Sequence, residues 1–478
     1  MTALDQFLNP NIRIYDNDKV YSYSDIEQLI NNYERSLLEA DLIKFSKVEI
    51  AIISIDVFSI ALLLFLLTRR IAFKSARYSS SILLSDNTDV FLISDIIDNV
   101  PCTAYGKYFD LRKDYKEFPG STRVDPTVFD TLQGPMIYLS GGTTGLPKEL
   151  KHSIDTLKVA VKNMQKIYHS CNVCLLISDQ TLNHYGVMTT TILSAIKYCD
   201  MVAIINPWTF NVANPDIPPA NILTVLFHNI PLLEKFSSVG MVKPETRIIT
   251  GGMAISMQNA KALLSILPDA SIFNVYGCTE LTTPLAWNII NAENLNTKPI
   301  NEMDVVIDDL QIITDEKKLI THFRSETAFY SKENVECPDI ITLTDKNTFA
   351  FAGRRWEMLS RQIKNSNRHL IIGQPEIYDW VKSLIACEFV VIGYKNKVTE
   401  HKFESVVIIV TDRDCGLSIK EINDSILESI RCRGIELEST HNIVTDIFIA
   451  NLKEFNNGLK IDTRRLLEAY MSRGHSNG

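Results

Sequence analysis

The segment Tyr138–Lys148, YLSGGTTGLPK, constrains this chain more than any other stretch. Three glycines, three aliphatic hydroxyl side chains and one lysine fall within eleven residues. Met136-Ile137-Tyr138 reads as a short buried strand leading into it. Glycine lets backbone N–H groups approach an anion closely, because no Cβ intervenes. Successive N–H groups of this kind form a concave anion nest. Ser140, Thr143 and Thr144 add hydroxyl donors to Gly141, Gly142 and Gly145, and Lys148 adds a positive charge. The expected ligand is a phosphate. A plain Gly/Thr surface turn would account for the glycines alone. A Walker loop does not fit, since it needs Gly-Lys followed at once by Ser or Thr. Here Pro147 precedes Lys148 and Glu149 follows it.

Composition narrows the field. A chain of 478 residues allows two or more domains. It is 46% hydrophobic and 22% charged, a globular balance. A net charge of −9 without a long basic run argues against nucleic acid or an anionic membrane as the main partner. The beginning MTALDQFLNPN carries no basic or apolar leader, so no signal peptide is expected. The apolar run Val57–Leu67 is too short to span a bilayer and reads as a buried helix beside a sheet. The nine cysteines lack a framework, and Cys171 and Cys174 form a single CxxC without a second pair. Reduced thiols and a cytoplasmic enzyme are expected.

Short β-branched runs alternate with helical patterns. Val48–Ile55, Val90–Ile93, Cys174–Ile177, Met201–Ile205, Ile222–Leu226, Arg247–Ile249 and Ser271–Val275 are the expected strands, and Met257–Leu267 a crossover helix. This order indicates an α/β fold rich in parallel sheet. Beyond a charged joint at Arg355–Arg361 the pattern changes. Phe389–Tyr394, Ser405–Thr411 and Ile443–Ile449 read as strands and Ile419–Arg433 as a helix. The expected organisation is a large domain, residues 1–356, and a small mobile α+β domain, residues 357–478.

Further motifs follow in order. Arg247–Met253 is a strand ending in Gly251-Gly252, and such turns line the ligand crevice of parallel sheets. Asn274–Glu280, NVYGCTE, follows another strand. Asn183-His184-Tyr185 stands between a strand and a Thr-rich helix. Cys337-Pro338-Asp339 precedes Gly353-Arg354, and NGLKIDTRR near the C-terminus contains Lys460.

Taken together, from about residue 10 to 465, these segments resemble the adenylate-forming superfamily of acyl-CoA synthetases, aryl-acid AMP ligases and peptide-synthetase adenylation domains. SGGTTGLPK resembles its phosphate loop, and the LSGG beginning looks closest to the aryl-acid ligases. Glu149 stands where most members have Gly. The resemblance implies that the loop Ser140–Lys148 grips the β- and γ-phosphates of ATP. Gly251, Gly252 and Met253 would border adenine and the acyl substrate, Tyr276 would stack on adenine beside Gly277, and Thr279 would bond the α-phosphate. Glu280, with Thr144, would hold Mg2+. Asn183, His184 and Tyr185 would border the acid, and the absence of an Asp there argues against an amino acid. Asp339 would bind the ribose hydroxyls and Arg354 ribose or phosphate. Glu357 would be the hinge, and Lys460 the catalytic lysine that neutralises charge as pyrophosphate leaves.

The chain departs from the family pattern at Cys337-Pro338, in the hinge turn Asn365-Ser366-Asn367, and at the inserted Leu459. The implied activity is ATP-dependent formation of an acyl-adenylate from a small aryl or acyl carboxylic acid. Transfer to a thiol follows, on a phosphopantetheine arm of an acyl or aryl carrier protein or on CoA. Three alternatives stay open: a degenerate member that binds without turnover, a structural partner in a biosynthetic complex, and a ligase that stops at the adenylate.

Overall fold

The computed structural model describes residues 3–52, 54–75, 87–95, 105–118, 124–139, 149–177, 182, 184–205, 217–224, 230–252, 255, 257–282, 284–315, 320–337, 339–354, 359–362, 364, 369–372, 374–382, 384–385, 387–399, 402–432, 436–437, 443–455 and 463–474. The chain forms two compact units, one of residues 1–312 and 323–335, the other of residues 313–322 and 336–478. The joint expected near residue 356 lies inside the second unit, because the hairpin Asp339–Asp345/Thr348–Arg354 groups with that unit.

The first unit holds two sheets. In one, strands run in the order Glu302–Val305, Ala286–Ile290, Ser271–Tyr276, Val242–Gly251, Ala220–Thr224, Val173–Ile177, Met201–Ile205, Arg13–Asp16 and Lys19–Ser22. From Ser271–Tyr276 to Arg13–Asp16 every neighbouring pair is parallel. The flanking pairs are antiparallel. Parallel strands buried on both faces need continuous apolar runs. Met201–Ile205 is such a run, buried at every position. Helices Ile230–Ser238 and Met257–Ile266 cover one face, packing Leu233, Phe236, Leu263 and Leu264 onto Leu175, Leu223 and Ile248.

The other sheet runs Tyr105–Asp110, Asn87–Ser94, Lys47–Ala51, Phe73–Ser75, Met136–Leu139 and Glu149–His152. Only its last pair is antiparallel. The helix Val57–Thr68 buries all but its last residues, as its unbroken apolar sequence requires. Asp56 and Ser59 close a capping box at its N-terminus. Among the described residues no helix is long and apolar enough to cross a membrane.

In the second unit Phe389–Thr399 and Lys402–Thr411 pair antiparallel, and Asp446–Ile449 adds a parallel strand. Ile377, Val391, Ile409, Ile422 and Ile426 share one core and Ile408, Phe448 and Leu466 another. The expected strand Ile443–Ile449 is shorter than its apolar pattern. The Asn423 side chain accepts from Ile443 and Val444 N–H at 2.6 and 2.9 Å and donates to the Val444 carbonyl at 2.8 Å. A helix side chain thus takes the backbone groups that a ladder would need.

Candidate functional site

Two parallel strands bring two motifs side by side. Val242–Gly251 and Ser271–Tyr276 pair in register, with Thr250 opposite Asn274 and Gly251 opposite Val275. Both chains therefore leave the sheet at the same, carboxyl, end. Gly251-Gly252 and Tyr276-Gly277 begin adjacent loops there. The two glycines answer different demands. A Cβ on Gly251 would lie 2.7 Å from the Val275 carbonyl oxygen, so only glycine allows this strand approach. Gly252 has φ +77°, a left-handed conformation that favours glycine.

Tyr276, Gly277, Cys278, Thr279 and Glu280 are all half-buried, while Leu281 and Thr282 beneath them are buried. The loop is short and held. Leu281 N–H donates to the Cys278 carbonyl at 3.2 Å and Leu285 N–H to the Tyr276 carbonyl at 2.9 Å. It therefore presents a polar edge from a fixed apolar base.

The strands flanking Ser140–Lys148 form an antiparallel pair, with Met136 opposite His152 and Leu139 opposite Glu149. Alternation places Met136, Tyr138 and His152 on one face. Tyr138 and His152 are buried there beside Tyr185. The His152 ring stacks on Tyr185, 3.8 Å between centroids and 16° between planes. Tyr138 meets Tyr185 edge-on at 5.5 Å and donates its hydroxyl to the Met188 sulfur at 3.0 Å. Burial pushes the Tyr185 phenol well above its ordinary range, against the lowering effect of Thr282 and Thr156. Burial pulls His152 down to about 4, opposed by the Thr279 backbone. The Thr279 contact falls short of a hydrogen bond of full geometry, and neither ring nitrogen has such a bond among the described residues.

Glu149, the departure from the usual glycine, has a partner. Lys74 lies 2.8 Å from it and 3.7 Å from Glu49. Burial lowers the Lys74 ammonium pKa, but the two carboxylates outweigh it and the net shift is upward. The exit of the loop is thus tied by charge to the neighbouring strand.

His184 is exposed just before the short helix Tyr185–Val187, which continues as a π-helical segment Met188–Leu193. Three consecutive threonines explain the widening. Thr189, Thr190 and Thr191 hydroxyls donate to the carbonyls of Tyr185, Gly186 and Val187 at 3.0, 2.7 and 2.5 Å. Such back-bonding distorts a helix, and π segments recur at functional sites. Of the expected acid-pocket residues, His184 is exposed, whereas Tyr185 is 1% exposed and packs within the aromatic cluster.

The second unit carries its own pair. Asp339 stands opposite Arg354 in the hairpin register. The Cys337 sulfur accepts from Asp339 N–H at 3.4 Å. Cys337 thereby fixes the turn where the family pattern has Thr. Asp339 is 5% exposed. Ser140, Gly141, Gly142, Thr143, Thr144, Gly145, Lys148, Asn183, Met253, Glu357 and Lys460 lie outside the described residues. The structure thus brings together Gly251, Gly252 and Tyr276–Glu280 in one unit, and the backbones of Asp339 and Arg354 in the other. His152 was not singled out from the sequence. Its sole signal there is parity with Tyr138 across the loop.

No family model matches the chain, and no curated protein matches it by sequence. Solved structures do match in three dimensions. O-succinylbenzoate coenzyme A synthetase from Bacillus subtilis, solved with ATP and magnesium ion, superposes with TM-score 0.67 at 12% identity, over 94% of this chain and 96% of that one. ATP-bound MatB from Rhodopseudomonas palustris gives TM-score 0.69 at 13% identity, covering 98% and 99%. The McyG A-PCP structure complexed with phenylalanyl-adenylate gives 0.69 at 14%, covering 98% and 94%. The chain has the fold of the adenylate-forming enzymes.

Proposed function

We propose that this chain, built on the adenylate-forming fold, is an AMP-forming acid–thiol ligase acting on a small aryl or acyl carboxylic acid. The single observation that carries this reading is the pairing of Gly251-Gly252 with Tyr276–Glu280 at the carboxyl end of parallel strands. Ligands of open α/β sheets bind at that end. In this reading a carboxylate oxygen attacks the α-phosphorus of ATP. The new P–O bond forms as the bond to pyrophosphate breaks. A thiolate sulfur then attacks the acyl carbon, forming the thioester and expelling AMP. The catalytic demand is mostly positioning and charge neutralisation.

Tyr276 offers a half-buried aromatic face for the base, and Thr279 donors for the α-phosphate. Glu280 is the carboxylate that would hold magnesium, with Thr144 supplying a hydroxyl. Magnesium is commonly bound by one or two carboxylates together with substrate phosphates, so a lone half-buried Glu280 fits it. When bound, the ion offsets phosphate charge. Lys460 would neutralise the α-phosphate oxygen and the substrate carboxylate, and Asp339 and Arg354 would hold the ribose. The thiol acceptor is a carrier-protein phosphopantetheine arm, with CoA as the competing acceptor. The LSGG beginning and the altered hinge turn favour the carrier protein.

The test is acid-dependent exchange of labelled pyrophosphate into ATP across aryl, fatty and amino acids, followed by acceptor assays on the best acid. An aryl or short acyl acid is expected to support exchange. In that assay Lys460→Ala loses about 100-fold or more, and Glu280→Gln raises the magnesium concentration needed for half-maximal rate. No exchange with any acid would reject the activity and favour a binding or structural role.

A further inference from the structure

His152 has no place in the site as the motifs define it, yet it touches three of its parts. It lies on the strand Glu149–His152 that leaves the phosphate-loop segment. Its ring stacks on Tyr185, the residue next to His184. The Thr279 backbone lies against it, next to Glu280. The ring is 2% exposed, and neither nitrogen makes a hydrogen bond of full geometry among the described residues.

A buried polar ring left in this way is costly, so a merely structural filler here would more economically be apolar. An aromatic such as phenylalanine would satisfy the Tyr185 stack. What imidazole adds is one N–H donor in its neutral form. The backbone of Thr279 favours the protonated ring. A group with that effect is an acceptor, and the backbone acceptor is the carbonyl oxygen.

We propose that His152 is a positioning residue that sets the Thr279–Glu280 loop relative to the phosphate-loop hairpin, through its stack on Tyr185 and an N–H directed at the Thr279 carbonyl. The inference rests on the proposed ligase reading for its catalytic consequence, though not for the contact itself. The Tyr185 stack fixes the plane of the ring, and the strand fixes its height above the sheet. The remaining freedom lies in the Thr279 loop. Hydrogen bonds in empty active sites are often poorly aligned and tighten once substrate is bound. Filling the phosphate loop would draw the hairpin and the Thr279 loop together and close this bond. His152 acts through Thr279 and touches no reacting atom.

Two variants separate the donor from the ring. His152→Phe keeps a flat ring against Tyr185 and removes the donor. His152→Gln keeps a donor and loses the stack. Amide hydrogen exchange of the segment 277–282, without nucleotide, reports the loop directly. In the Phe variant exchange there is expected to rise about ten-fold, the worth of one hydrogen bond, with no matching rise in distant helices. Pyrophosphate exchange at saturating ATP falls in the same variant, and Gln recovers part of both. Wild-type exchange rates in 277–282 of the Phe variant, or a Gln variant no better than Phe, overturn the proposal. A loosened loop in a chain that turns over no acid would sink the ligase reading and leave the contact standing. Normal turnover with an unmoved loop in the Phe variant would do the reverse. Should the Phe variant not fold, selective imidazole 15N spectra of the wild-type chain decide. A neutral, solvent-protected ring N–H is expected from pH about 8 to about 5, and a histidine at 152 that titrates freely in that range overturns the proposal.

Discussion

Asp16 and His152 are buried ionisable groups whose burial pulls stability in opposite directions. Desolvation raises the Asp16 carboxyl to about 6, opposed by the Val57 N–H, raised further by Asp56 and lowered by Arg112. The folded chain therefore takes up this proton at higher pH than the unfolded chain. Asp16 costs stability near neutrality, and that cost fades as pH falls through 6 toward 3.8. For His152 the folded value of about 4 lies below the model 6.5, chiefly through burial. The unfolded chain binds the proton first, so this group removes about 3 kcal/mol as pH falls from 6.5 to 4. The two terms offset one another across the same window. Asp16→Asn retains an acceptor for the Val57 N–H, now 2.9 Å from Asp16. It is expected to raise the melting midpoint by a few degrees near pH 7.5 and to lose that advantage near pH 4. Calorimetry at the two pH values checks this, and an equal gain at both would refute the Asp16 assignment. None of this was legible in the sequence. Asp16 and Val57 are brought together only by the packing of a strand end onto a helix start.

At the scale of elements, the two glycines show what a motif does and does not disclose. Gly251-Gly252 read from sequence as a turn lining a crevice. The structure gives each glycine a local reason: a 2.7 Å approach to the Val275 carbonyl for one and a positive φ for the other. Gly251→Ala must push apart the strands that carry Thr250 and Asn274. It is expected to cost about 1–3 kcal/mol and to weaken ATP binding through the displaced Tyr276–Glu280 loop. Gly240→Ala is the control, since its φ is +72° but nothing lies within 4 Å of an added Cβ. That change is expected to cost about 1 kcal/mol and to leave ATP affinity unchanged. Equal losses of affinity in both variants would remove the strand-approach argument. Elements with strong apolar patterns, such as Val57–Thr68 and Met201–Ile205, were readable because burial follows directly from composition. The strand expected at Ile443–Ile449 was misread in length, because one side chain, Asn423, claims its backbone groups from across the core.

At the scale of the whole molecule, the second unit has cores of its own. Ile377 through Leu466 supply both of its apolar clusters. We propose that residues 357–478 fold alone and that the joint near Glu357 is the hinge between two half-reactions. A fragment 357–478 should show a cooperative thermal transition by circular dichroism. If only a fragment beginning at Glu336 does so, the hairpin Asp339–Asp345/Thr348–Arg354 belongs to the small domain and the hinge must be sought before it. The sequence by itself determined the ordered motifs, the alternation of strand and helix, and the polar residues clustered at strand ends. These depend on residue type and on spacing within a few turns, where physical demands are local. Only the tertiary structure decided that the first unit splits into two sheets, that Glu149 pairs with Lys74, and that Tyr185 is buried against His152. Parallel strands pair across long crossovers, and their register and neighbours are set by the packing of faces far apart in the chain. A histidine between two motifs acquires its meaning from that packing, which brings its ring against Thr279.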